Sequence, residues 1–149
     1  LPFSPESYKI NKNKRSYFSL KGSIKMTRIP PEERNMIEQA IYLPMVLTVL
    51  NRDIQSINTS TIKLKEPYLH LIEETMKVVQ KELSEIKRHM SKNKIKVYQS
   101  NHDEAFTMFT FLYKGYEEHH NYFNPRIRNK VQELLEYYLF KRENNKTEA

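Results

Sequence analysis

Apolar residues recur along one stretch at Leu69, Ile72, Met76, Val79, Leu83, Ile86 and Met90, in steps of 3, 4, 3, 4, 3 and 4. A helix turns every ~3.6 residues, so this spacing lines up a single apolar stripe. The pairs Glu73–Lys77 and Lys81–Glu85 sit one turn apart on the polar faces. A second seam of equal length runs through Met36, Ala40, Leu43, Leu47, Leu50, Ile54 and Ile57. It follows Pro30-Pro31-Glu32-Glu33, where prolines and carboxylates suit a helix start. Two matched seams joined by a short connection predict an antiparallel helical hairpin. Ile37, Ile41, Val46 and Val49 widen the first apolar face, so that helix should touch a third element. Pro44 lies inside it and predicts a kink near Ala40–Leu43.

Thr61–Leu64 and Lys94–Tyr98 alternate polar and apolar, which predicts two very short strands pairing in parallel across the second helix. Asn101-His102-Asp103-Glu104 resembles a capping box. Ala105, Phe109, Leu112, Tyr116, His119 and Phe123 then follow at helical steps and predict a third helix. Asn124-Pro125 reads as the start of a fourth, with Ile127, Val131, Leu134 and Tyr138 as its stripe. The expected fold is all-α and four-helix bundle-like. A long antiparallel helical hairpin packs against a shorter, aromatic-rich one.

Composition changes this picture at the ends. The chain has 149 residues, two glycines and no cysteine, which suits one helical domain in a reducing cytoplasm. The longest apolar run, Ile41–Leu50, falls short of the ~20 residues a membrane span needs. Residues 1–25 show no period and read as a disordered basic leader. Lys9, Lys12, Lys14, Arg15, Lys21 and Lys25 stand there against Glu6 alone, so most of the net charge of +7 belongs to the leader. Lys21-Gly22-Ser23 before Met26 matches what a translated ribosome-binding site would give, so Met26 is the expected natural start. The domain is then 26–142, with a disordered tail over 143–149.

Candidate chemistry is sparse. Glu117-Glu118-His119-His120 is the densest cluster of metal-capable side chains. Glu117 and His120 have the Glu-x-x-His spacing of carboxylate-bridged bundles, which on a helix shares one face. That site type needs a second such motif and two further glutamates, and the chain has no second copy, so a metal bundle is a remote alternative. Arg126, Arg128 and Lys130 sit near a helix N-terminus, the unfavourable end for cations, and give nucleic-acid binding as the main alternative. Phosphate loops, nucleophile elbows and catalytic triads are absent, so neither catalytic residues nor a cofactor are assigned. The expected function is a non-enzymatic protein–protein interaction or assembly module, binding a protein partner or a second copy and no membrane. Its candidate surface is Tyr113, Tyr116, Tyr122, Asn124, Arg126 and Arg128.

Four segments carry a resemblance: Ala40–Leu47, Lys65–Leu69, Asp103–Met108 and Asn121–Arg128. They resemble the YhjD-type proteins of Bacillus-like bacteria over roughly residues 26–140. The resemblance implies a bacterial cytoplasmic protein and carries no activity, ligand or site residue with it.

Overall fold

The computed structural model describes residues 29–142; the expected leader, Met26 and the tail 143–149 lie outside the described residues. Helix α1 spans Pro31–Asn58 and α2 spans Glu66–Lys92. Strands β1 (Ile95–His102), β2 (Phe106–Tyr113) and β3 (Tyr116–Phe123) follow, then α3 (Asn124–Glu136), which runs into a π-helical turn over Tyr137–Lys141. The fold is therefore α+β, and the all-α bundle expected from the sequence is corrected.

The long hairpin forms as its periodicity requires. Leu69, Ile72, Val79, Leu83, Ile86 and Met90 of α2 are buried, and Met76 is half-buried. Each such side chain contributes ~1.5–3 kcal/mol on leaving water. Thr75 joins this face, its hydroxyl satisfied by the Leu71 carbonyl at 2.7 Å. His89 near the end of α2 meets Glu33 near the start of α1 at 2.9 Å, so the two helices run antiparallel. Helix α1 is buried on two sides. Met36, Ala40, Leu47, Ile54 and Ile57 of its expected seam are half-buried, while Ile37, Ile41, Tyr42, Leu43, Val46 and Leu50 form the deeper core. The helix continues through Pro44.

Residues 105–123 form two strands where a helix was expected. Lys114 (φ 48°) and Gly115 (φ 88°) both adopt left-handed backbone and close a two-residue hairpin turn. That conformation ends a helix but matches the twist of paired strands. Phe106–Tyr113 is rich in threonine and aromatic residues, which suit a pleated surface. The expected capping box is an Asx turn: the Asp103 carboxylate accepts the Ala105 and Phe106 N–H groups, both at 2.8 Å. Those bonds, from Phe106 and then Ala105, hold its pKa below the ordinary carboxylate value. Thr61–Leu64 forms no strand. The other proposed strand is real and longer, but its partner is β2, antiparallel.

The sheet order is β1-β2-β3, with an irregularity between Gln99 and Asn101. Its inner face carries Ile95, Phe109, Phe111, Tyr113, His120 and Tyr122 into the core beneath the helices. Asn124 straps α3 to the β1–β2 turn. Its amide donates to the carbonyls of Asp103 and Glu104, both at 3.0 Å, and its oxygen accepts from Thr107 at 2.7 Å. No side-chain cap closes α3, so this asparagine serves the turn and not the helix end. The Tyr138 hydroxyl donates to Glu82 and ties the π-helical turn to α2. Burial, reinforced by that bond, pushes the hydroxyl's pKa well up.

Candidate functional site

In a strand, successive side chains point to opposite faces. Glu117-Glu118-His119-His120 therefore separates into two pairs, and Glu117 and His120 lie on opposite faces of β3. This removes the shared helical face on which the metal alternative was built. Among the described residues, no three histidines or carboxylates converge on a metal-sized site.

The inner pair is a buried joint. Arg34 Nη2 donates to Glu118 Oε1 at 3.0 Å, and His120 Nε2 lies 2.9 Å from the same oxygen. Arg34 is 1% exposed, and the ring of Phe111 lies 4.3 Å from that of His120. Burial pushes the Glu118 carboxyl up. The hydrogen bond to His120 and the charge of Arg34 outweigh it and hold the group at about 2, against an ordinary 4.5. Arg34 lies on α1, so this cluster fastens the first helix to the last strand.

The outer pair is different. Glu117 and His119 are 3.2 Å apart, and His119 Nδ1 lies 2.9 Å from Thr110 Oγ1. A hydroxyl, an imidazole and a carboxylate in sequence invite a hydrolytic reading. Thr110, however, is fully buried, so its hydroxyl cannot reach a substrate carbonyl.

Strand register arranges the outer face in rows. Lys96, Leu112 and Glu117 form one; Tyr98, Thr110 and His119 the next. Asn101, Met108 and Asn121 follow, and Phe106 and Phe123 close the face with rings 5.4 Å apart. Tyr98 is 48%, Phe106 37% and Phe123 40% exposed. Two carboxamides, three aromatic rings, one lysine and one glutamate thus share a mixed surface that no described helix covers.

The residues singled out from sequence do not form one patch. Tyr113 and Tyr116 pair at the hairpin end, the first buried and the second exposed. Tyr122 is buried in the core between Tyr42 and Phe109, whose rings lie 6.4 Å and 5.6 Å away. Asn124 is the strap already described. Arg126 is half-buried and Arg128 exposed, the latter beside a shallow cleft of about 310 Å³ with Met45, His102 and Ile127. Tyr116 and Asn124 stand at opposite ends of β3, ~25 Å apart at ~3.3 Å per residue. Lys130 is buried, with Glu133 at 3.4 Å, and so offers little charge to a phosphate backbone.

The family model described as YhjD protein matches residues 28–143. The chain belongs to the YhjD family. A Bacillus subtilis (strain 168) relative, "Uncharacterized protein YhjD", is 50% identical over 115 residues, covering 77% of this chain and 96% of the relative. No solved structure matches the chain. No described helix is long and apolar enough to cross a membrane.

In this YhjD-family chain, sequence reasoning missed Arg34, Lys96, Tyr98, Thr110, Phe106 and Phe123. Arg34 had a signal: it falls on the stripe of Ile37 and Ile41, and a cation on an apolar stripe needs a buried partner. Lys96 and Tyr98 lay in a segment already read as alternating. The two phenylalanines had no signal while β2 and β3 were read as one helix.

Proposed function

We propose that this YhjD-family chain is a non-enzymatic protein–protein interaction or assembly module, and that the outer face of the sheet is its contact surface. One observation carries the reading: the helices cover one side of the sheet, while the other presents Tyr98, Phe106 and Phe123 to solvent. Aromatic side chains are enriched at protein interfaces because they bury much apolar area at small entropic cost. Tyr116, Asn124, Arg126 and Arg128 remain in the proposal as flanks at the two ends of β3. Tyr113 and Tyr122 support the strands from the core side. The reading places the protein in the cytoplasm, supported by the absence of cysteine.

The test is a triple variant, Tyr98→Ser with Phe106→Ser and Phe123→Ser. The wild-type chain should run in native lysate as part of a larger assembly, and the variant should run as the bare folded chain. Identical behaviour of the two overturns the reading.

A further inference from the structure

We infer that the outer sheet face is built to pack against the same face of a second copy of this chain, about a two-fold axis running along β2. This rests on the interaction-module reading above and names its partner.

The face is close to self-complementary about that axis. A two-fold axis lying between two stacked sheets and parallel to their strands sends β1 of one copy over β3 of the other and leaves each β2 facing itself. Each row then meets the same row reversed. Lys96 on β1 comes to lie over the second copy's Glu117 on β3, and Glu117 over its Lys96. In the next row, the Tyr98 hydroxyl meets the second copy's His119. In the third, the carboxamide of Asn101 meets that of Asn121, and a carboxamide both donates and accepts. Along the axis, Leu112, Met108 and Phe106 of the β2 column meet their own copies above the buried Thr110, giving a mainly apolar strip between margins that are polar except at Phe123. The alternative axis, across the strands, lays β1 over β1 and β3 over β3. It takes Lys96 away from Glu117 and forfeits that pairing. An isologous contact needs this kind of self-complementary patch, and sheets stack in nearly aligned directions when their faces interdigitate.

The size of the face sets the strength. Three strands at ~4.8 Å spacing and eight residues at ~3.3 Å each give a footprint on the order of 400 Å² per copy before side chains reach outward. Two such faces bury on the order of 800–1,000 Å², the size of weak, reversible contacts, so the association is sought across micromolar concentrations.

Sedimentation velocity on the full chain, from about 1 to 500 µM, tests this. The wild type should pass from monomer to dimer within that range. Lys96→Glu and Glu117→Lys each set like charges together on both sides of the axis. Each should weaken dimerisation by about tenfold. The double swap, Lys96→Glu with Glu117→Lys, restores the pairing and should return the affinity to within about threefold of wild type. Both positions are exposed, and circular dichroism checks that every variant is folded. A wild type that stays monomeric to 500 µM, or a dimer indifferent to the single swaps, overturns the second copy as occupant. If the wild type is monomeric but the triple serine variant still loses a lysate assembly, the second copy is excluded while the interaction module stands.

Discussion

Glu118–His120 and Glu117–His119 are the same two side-chain types at the same spacing on one strand. The inner pair has side chains 11% and 5% exposed; the outer pair has both at 52%. The inner one gains Arg34 from α1 and becomes a joint between distant parts of the chain. Among the described residues, the outer one meets a buried threonine on the neighbouring strand and stays exposed. Identical chemistry thus serves cohesion on one face and lies open to solvent on the other, where we propose recognition, and the pleat alone decides which.

The comparison breaks most sharply at Arg34. Arg34→Met leaves the Glu118 carboxylate in the interior without its guanidinium and should cost about 3–5 kcal/mol, measured by urea unfolding. The double variant Arg34→Met with Glu118→Met should recover half or more of that loss, because the Glu118 carboxylate is then no longer left without its guanidinium.

Acid sharpens the contrast at intermediate size. The folded pKa of Glu118 lies below its unfolded value of 4.5, at about 2. The folded state therefore holds fewer protons at this site, and the stability it contributes is complete above pH ~5 and drains away as pH falls toward 2. Urea midpoints of wild type and Glu118→Gln should differ most near pH 6 and converge on acidification.

The smallest effect belongs to the outer pair. Glu117→Gln should change unfolding free energy by no more than about 0.5 kcal/mol, since an exposed pair is screened and entropically costly to hold. A larger loss in the monomer would erase the distinction between the two faces.

The helices were legible because burial on one side stamps a clear period on a sequence. Leu69 to Met90 reads as it packs. The sheet was harder because β2 is apolar on both faces. Phe109, Phe111 and Tyr113 point inward, while Phe106, Met108 and Leu112 point outward, so strict alternation is blurred. A subset of those residues also fits helical steps by coincidence. The overlooked signal was Lys114-Gly115: a glycine in mid-helix costs ~1 kcal/mol, whereas a hairpin turn asks for one. Once β2 and β3 were read as one helix, Glu117 paired with His120 in place of His119, and the outer face went unseen. The site residues drawn from sequence shared a segment but not a surface, since β3 carries Tyr116 and Asn124 to opposite ends.

Every strand in the sheet is bonded to its neighbour in sequence, through turns of three and two residues. Such a meander can zip up by local steps, as can the helical hairpin before it, and neither closes a large loop. The link from Arg34 to Glu118 spans 84 positions and must gather both finished halves. Closing that span costs chain entropy that neither hairpin meets alone, so the buried arginine stitches together parts of the chain that sequence holds far apart.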